Sequence, residues 1–330
     1  MTFKNLFYSL SIALIIFSSP LFGQKEVVQL PEIAKEIKKM RDEDQKNRIK
    51  WAGMVKKGKN DTDKFKEFTK EIIAVDRQNT ARMREIIAEH GWPTYDRVGE
   101  GPSNNAWLII QHADRNPLFQ AKCLPLLKAA VEAGQANPSN YAYLYDRVQV
   151  AQGRKQLYAT QSSTNNGLTK GQFYALEDES NVQVRREEMG IARSVVDYAE
   201  SMGFDYTIPS PSEAAQRAEK LVEDYETNLS LAKEAMDAKE YNKAAEHYLI
   251  VAETNGSVTT EDFLEATRAL ALSRHSEIVK CYTFLMRAMA RGWHGFDEIK
   301  DHPDFAYLKE ASSGKWSDLA LSAEEMALDR

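Results

Sequence analysis

Ala232, Ala244, Tyr248 and Val251 recur 37 residues later as Ala269, Cys281, Leu285 and Ala288. This spacing of small, small, large and small residues constrains the fold more than any other feature of the chain. Two helices cross closely only where small side chains meet, and a large one fills the space beside them. A repeat of that pattern means a stack of helical hairpins. Asp237 to Tyr241 reads as the turn inside the first hairpin. The stretch from Gly292 and Trp293 through Phe305, Leu308, Trp316 and Leu319 reads as a terminal cap, because the last hairpin cannot bury its own outer face. Cys281 stands at a crossing position, which predicts a buried free thiol. Cys123 lies in the other half, so the two cysteines are expected not to be bonded to each other.

Upstream, the 3.6-residue period dominates. A charged helix is expected over Leu30 to Lys56, with Ile33, Ile37 and Met40 on one face. A second runs from Thr62 to Glu89 on a stripe that includes Phe68, Ile72, Met83 and Ile86, and Gly91 and Pro93 stop it. Ser103 reads as the N-cap of an apolar helix over Asn104 to Asp114. Pro117 opens another, in which Pro125 predicts a kink or an early end, and Pro138 opens a helix over Ser139 to Gln149. Gln156 to Gln161 and Gln172 to Leu176 read as the two strands of a hairpin around a Ser/Thr/Asn/Gly-rich loop. Helix resumes over Val184 to Met202, and Gly203 to Ser212, with Pro209 and Pro211, is the expected linker. The fold class is therefore mainly α: a helical domain with a small β-hairpin over 24–205, then a short helical-hairpin array over 206–330.

The first residues have the order of a secretory signal. Lys4 precedes an uncharged run from Leu6 to Phe17, Pro20 breaks it, and cleavage is expected after Gly23. The run is too short to span a bilayer and no later stretch is apolar enough, so no membrane span is expected after cleavage. No cysteine follows the run to carry a lipid. The mature protein is expected outside the cytoplasm, periplasmic or secreted. With 43 basic against 49 acidic residues and a net charge of −6, the chain lacks the electrostatic footprint of a nucleic-acid binder. Zinc spacings, a Gly-rich phosphate loop and a G-x-S-x-G elbow are all missing, so neither metal nor cofactor is expected.

The densest polar chemistry lies between Gln111 and Arg186. Histidine as a residue type suits general-base work near neutral pH, so His112 is a candidate base, or is a satisfied core residue on the face of Leu108 and Ile109. Asp114 binds a ligand or caps the Pro117 helix. Asp146 and Arg147 bind a charged ligand or close buried ion pairs. Tyr158 and Gln161 line a pocket beside His112 or are ordinary strand residues. The ligand-binding set expected from this reading is Gln111, His112, Asp114, Asp146, Arg147, Tyr158 and Gln161, with His112, Asp146 and Tyr158 as catalytic candidates.

The order of several short motifs resembles a bacterial domain of unknown function, numbered 6624, over roughly residues 30–200. They are Asp44-Gln45 with Arg48; Gly91-Trp92-Pro93; Gln111 to Asp114 followed by Asn116-Pro117 and Phe119-Gln120; Tyr143-Leu144 with Asp146-Arg147; Gln156 with Tyr158, Thr160 and Gln161; Glu177-Asp178; and Arg185-Arg186. Ala159 stands where that family usually has glycine. The resemblance implies a domain and no activity. The second half resembles the tetratricopeptide repeat, with Gly256 in place of its usual closing proline, and implies a protein or peptide partner.

Two function classes follow. The leading one is an exported binding or scaffolding protein that uses a polar cleft and the repeat surface. The alternative is an extracytoplasmic hydrolase with His112 as base. Convergence of His112, Asp146 and Tyr158 on an open cleft favours the enzyme; a closed, fully paired set disfavours it.

Overall fold

A computed structural model describes residues 29–58, 62–163, 171–253, 256–275, 277–278, 280–311 and 313–330. The expected signal segment, residues 1–23, lies outside the described residues. Helices α1 (Pro31–Lys56) and α2 (Asp63–His90) form a hairpin, and Thr62 caps α2 by accepting the Phe65 N–H at 3.2 Å. After α3 (Tyr95–Val98), α4 (Glu100–Gln111) packs on both of them. Then come α5 (Pro117–Glu132) and α6 (Pro138–Ala151). Ile37, Met83, Ile110, Phe119, Leu127 and Leu144 fill the core between these helices.

Local chemistry corrects four expectations here. Ser103 is no cap: α4 begins at Glu100, and Ser103 is buried within it. The helix stops at Gln111, so His112 is its C-cap and Asp114 lies beyond it. Asn116, not Asp114, caps α5, accepting the Phe119 N–H at 3.0 Å. The α5 helix runs through Pro125 without a break.

The hairpin is much shorter than its sequence suggests. Among the described residues the paired strands are β1 (Ser162–Ser163) and β2 (Gln172–Phe173), antiparallel, with Ser162 opposite Phe173, and a single bridge joins Gln156 to Leu176. Residues 157–160 form no strand because Asp146 takes the N–H groups of Leu157, Tyr158 and Thr160, while Gln156 N–H alone reaches the facing segment, at the Ala175 carbonyl. The long helix expected after it is two short ones, α7 (Val182–Glu188) and α8 (Val195–Ser201). Gly190, at φ 66°, turns the chain between them, and Arg186 donates across the break to the Arg193 carbonyl at 2.9 Å. A second, small core forms here from Ala159, Phe173, Val182, Val195 and Ala199, with Tyr198, Phe204 and Tyr206 packed on it.

From Ser210, whose side chain caps the next helix, α9 (Pro211–Asp237), α10 (Tyr241–Glu253), α11 (Thr260–Ser273) and α12 (Lys280–Ala290) each pack on the following one. All eight positions of the 37-residue recurrence are 2% exposed or less. Both cysteines are free and buried, Cys281 at its helix crossing and Cys123 in the first core. Helices α13 (Phe296–Ile299), α14 (Ala306–Ala311) and α15 (Ser313–Ala327) close the array, burying Phe296, Phe305, Leu308, Trp316 and Leu319. Helix α15 also packs on α5, and α12 on α5 and α6. Among the described residues no helix is long and apolar enough to cross a membrane.

Candidate functional site

The seven expected site residues divide between two places. His112, as the α4 C-cap, reaches α1: its Nδ1 lies 3.0 and 3.1 Å from the two carboxylate oxygens of Asp44. Asp44 is buried on the stripe it shares with Ile37 and Met40. It also accepts from Arg48 Nε at 2.8 Å and from Gln45 Nε2 at 2.7 Å. Arg48 continues the chain of contacts to α2, donating from Nη2 to Asp76 at 2.7 Å. The side chain of His112 is 19% exposed, and no described group bonds its Nε2.

The electrostatics of this centre are asymmetric. Burial opposes ionisation of Asp44, but the hydrogen bond and charge of His112, the charge of Arg48 and the Gln45 amide outweigh it and hold the carboxyl below its usual range. At Asp76 burial wins: with the negative Asp44 nearby and only Arg48 as a strong counterweight, its carboxyl is pushed up to about 6. Two carboxylates of one cluster are thus driven apart, one to the ionised form and one toward a titration near neutral pH.

Beside His112, the exposed Asp114 accepts from Arg147 Nη1 at 2.6 Å and from Gln120 Nε2 at 3.3 Å. Gln111 is buried and donates to the Tyr143 carbonyl at 3.4 Å, while its Oε1 is buried without a partner.

Asp146, Tyr158 and Gln161 form the other group, around the segment 157–160. Asp146 is fully buried and accepts from the N–H groups of Leu157 at 2.8 Å, Tyr158 at 3.1 Å and Thr160 at 3.0 Å, and from the Thr160 hydroxyl at 2.9 Å. Burial pushes its carboxyl up to about 6 against the pull of those donors. From the opposite side, Arg186, also fully buried, donates to the Tyr158 carbonyl at 2.7 Å, and Arg185 donates to that of Leu157 at 2.9 Å. An anion thus satisfies the segment's N–H groups and cations satisfy its carbonyls. Gln156 adds a rung, bonding both the N–H and the carbonyl of Gln161. Ala159 sits inside this clamp at φ 51°, the left-handed region that favours glycine. Burial raises the Tyr158 phenol to about 12, so it is neutral at ordinary pH.

The clamp is closed, with only the Arg186 Nε buried and unbonded, and Asp146 offers no carboxylate to a ligand; His112, Asp146 and Tyr158 do not converge, so the hydrolase expected on those three residues together is disfavoured. His112 therefore has Asp44, Arg48 and Asp76 as its partners, and not Asp146. The sequence did carry a signal for them. Asp44 and Asp76 occupy positions of the apolar stripes of α1 and α2, Asp76 falling four residues after Ile72 and seven before Met83. A carboxylate on a buried stripe must have a partner. Among the described residues no group of His, Cys, Asp and Glu side chains has the geometry to hold a metal ion.

Residues 31–208 match the model of a family of unknown function, DUF6624, and the match ends between α8 and α9. No curated protein and no solved structure matches the chain.

Proposed function

The chain belongs to the DUF6624 family, and from that premise we propose that its first half houses a general-base centre that activates water for hydrolysis. The observation that carries this reading is the pairing of His112 Nδ1 with both oxygens of Asp44 while Nε2 has no described partner. A buried carboxylate on one ring nitrogen fixes the tautomer and stabilises the imidazolium, and the other nitrogen is then the base. In this scheme a water gives its proton to Nε2 and attacks an electrophilic carbonyl or phosphoryl group. The imidazolium then returns that proton from Nε2 to the leaving group, which restores the neutral ring.

The protein is exported in this reading, with its signal cut after Gly23, so the substrate is met outside the cytoplasm. The second half, from residue 206, is a tetratricopeptide-like array with a terminal cap. The burial of every recurring position at its helix crossings supports that assignment. The scaffolding role expected of such an array belongs to this half, whose surface holds a protein or peptide partner. The test is turnover of chromogenic ester, amide and phosphodiester substrates by the mature chain. His112→Asn and Asp44→Asn are expected to lower the rate by about 100-fold or more, the usual range for a lost general base, with melting temperatures close to wild type. Turnover that survives His112→Asn undiminished, or no turnover across the panel, overturns the reading.

A further inference from the structure

We infer that the C-terminal helix α15 is the positioning element of the His112 centre, acting through Asp318 and Asp329. The inference rests on the reading of His112 as the working group. Each carboxylate bridges the same two parts of the first half, the helix α2 and the loop that follows His112. Asp318 accepts from Arg77 Nη2 of α2 at 2.7 Å and from Arg115 Nε of the loop at 3.0 Å. Asp329, two residues beyond α15, accepts from Arg84 of α2 at 2.7 and 3.0 Å and from Asn116 of the loop at 2.7 Å. Arg77 follows Asp76 directly in sequence, and Arg115 follows His112 by three residues.

These contacts close a ring. It runs from His112 to Asp44, along α1 to Arg48, across to Asp76, through Arg77 to Asp318, and back through Arg115 to His112. Four of its links are charge-assisted hydrogen bonds that fix direction as well as distance. Without α15 the ring is open between α2 and the loop, and the spacing of Asp76 from His112 rests on α1 and on the apolar packing of α4 against α2, neither of which fixes the loop itself. The bridges are themselves held: Tyr282 of α12 donates to Asp318 at 2.8 Å, Ser322 lies 3.1 Å from Arg77 Nη2, and Glu325 pairs with Arg77 Nη1. Arg77 and Asp318 are 14% and 20% exposed, so water competes weakly for them. A partner that moved the array would therefore be felt at His112.

The experiment reads the Nδ1–H proton of His112 by NMR in the full mature chain, as its rate of exchange with solvent. Asp318→Asn and, separately, Arg115→Gln each open the ring. Each is expected to speed that exchange at least tenfold, because the opened ring of contacts lets Nδ1 leave Asp44 more often. Asp304→Asn breaks an ion pair with Arg268, on the array and outside the ring, and is expected to leave the exchange within twofold of wild type. Should Asp318→Asn fail to fold, Arg115→Gln decides, since Arg115 is the more exposed end of the bridge. Unchanged exchange in a folded ring variant overturns the inference, as does an equal effect of Asp304→Asn. The readout needs no turnover. A chain that hydrolyses nothing but shows the tenfold change refutes the hydrolase and leaves the positioning role intact.

Discussion

Gly153→Ala tests how the end of α6 is seated against the array. Gly153 has φ +67°, and a Cβ built there would lie 2.6 Å from Cζ and 3.2 Å from Cε2 of Phe263. Gly134, at the end of α5, has nearly the same backbone, φ +68°, but a Cβ there meets nothing within 4 Å. Alanine in the left-handed region costs about 1–2 kcal/mol at either site. Only residue 153 adds overpacking, about 1–3 kcal/mol, because the Phe263 ring cannot swing away. It is fully buried and stacked on Phe284 with 6.1 Å between ring centroids. Gly153→Ala is thus expected to cost about 2–5 kcal/mol, and Gly134→Ala about 1–2 kcal/mol. Urea denaturation of the two variants gives the difference directly. Phe263→Leu in the Gly153→Ala background is expected to recover part of the overpacking, a coupling that a double-mutant cycle isolates. Equal losses at the two glycines, or no coupling to Phe263, refute the contact.

Asp76 carries a pH signature. Its carboxyl is raised to about 6, so its contribution to stability is full below the ordinary 3.8 and is lost as pH rises through about 6, a swing of about 3 kcal/mol. Asp76→Asn is expected to flatten the urea midpoint between pH 5 and 7 relative to wild type; parallel profiles would contradict the assignment. Asp44 and Asp318 act with the opposite sign, stabilising above the usual carboxylate range and losing that contribution as pH falls below it. Asp146→Asn places an amide where Thr160 N–H needs an acceptor. It should cost at least about 1–3 kcal/mol of stability, and a variant as stable as wild type would show that the clamp is dispensable. Burial raises both thiols, Cys281 to about 12 and Cys123 further, so a disulfide-exchange reagent should label two thiols in urea and none in the native protein. Rapid native labelling, or a linked Cys123–Cys281 peptide, would contradict the buried free state.

The helices were legible because periodicity and punctuation agree. The stripe of α2, the cap residue Thr62 and the stop at Gly91 all report one element. The small-residue recurrence likewise reported the crossings of α9 to α12. What the sequence hid was competition for backbone hydrogen bonds. Residues 156–161 have strand composition, yet one carboxylate, Asp146, takes the N–H groups of Leu157, Tyr158 and Thr160, and no local pattern announces that. The same holds at the site. Gln111 and His112 stand out by chemistry, whereas Asp76 is one acid among 49 acidic residues until its place on a buried stripe is weighed. Groups from α1 and α2 gather beside His112 at the end of α4, and sequence proximity carries no information about such a meeting. The role of Asp318 and Asp329 was harder still to read, since both lie more than 200 residues from the groups they bridge.

The most direct test of the account is the tautomer of His112. Long-range proton–nitrogen NMR on chain labelled at its six histidines gives it, with His112 assigned by the spectrum of His112→Gln. In the neutral ring the proton is predicted on Nδ1, held by Asp44, with Nε2 bare and able to take a proton from water. Asp44→Asn is predicted to abolish that preference. A proton found on Nε2 in the wild-type chain, or a tautomer ratio that ignores Asp44→Asn, would contradict the general-base centre.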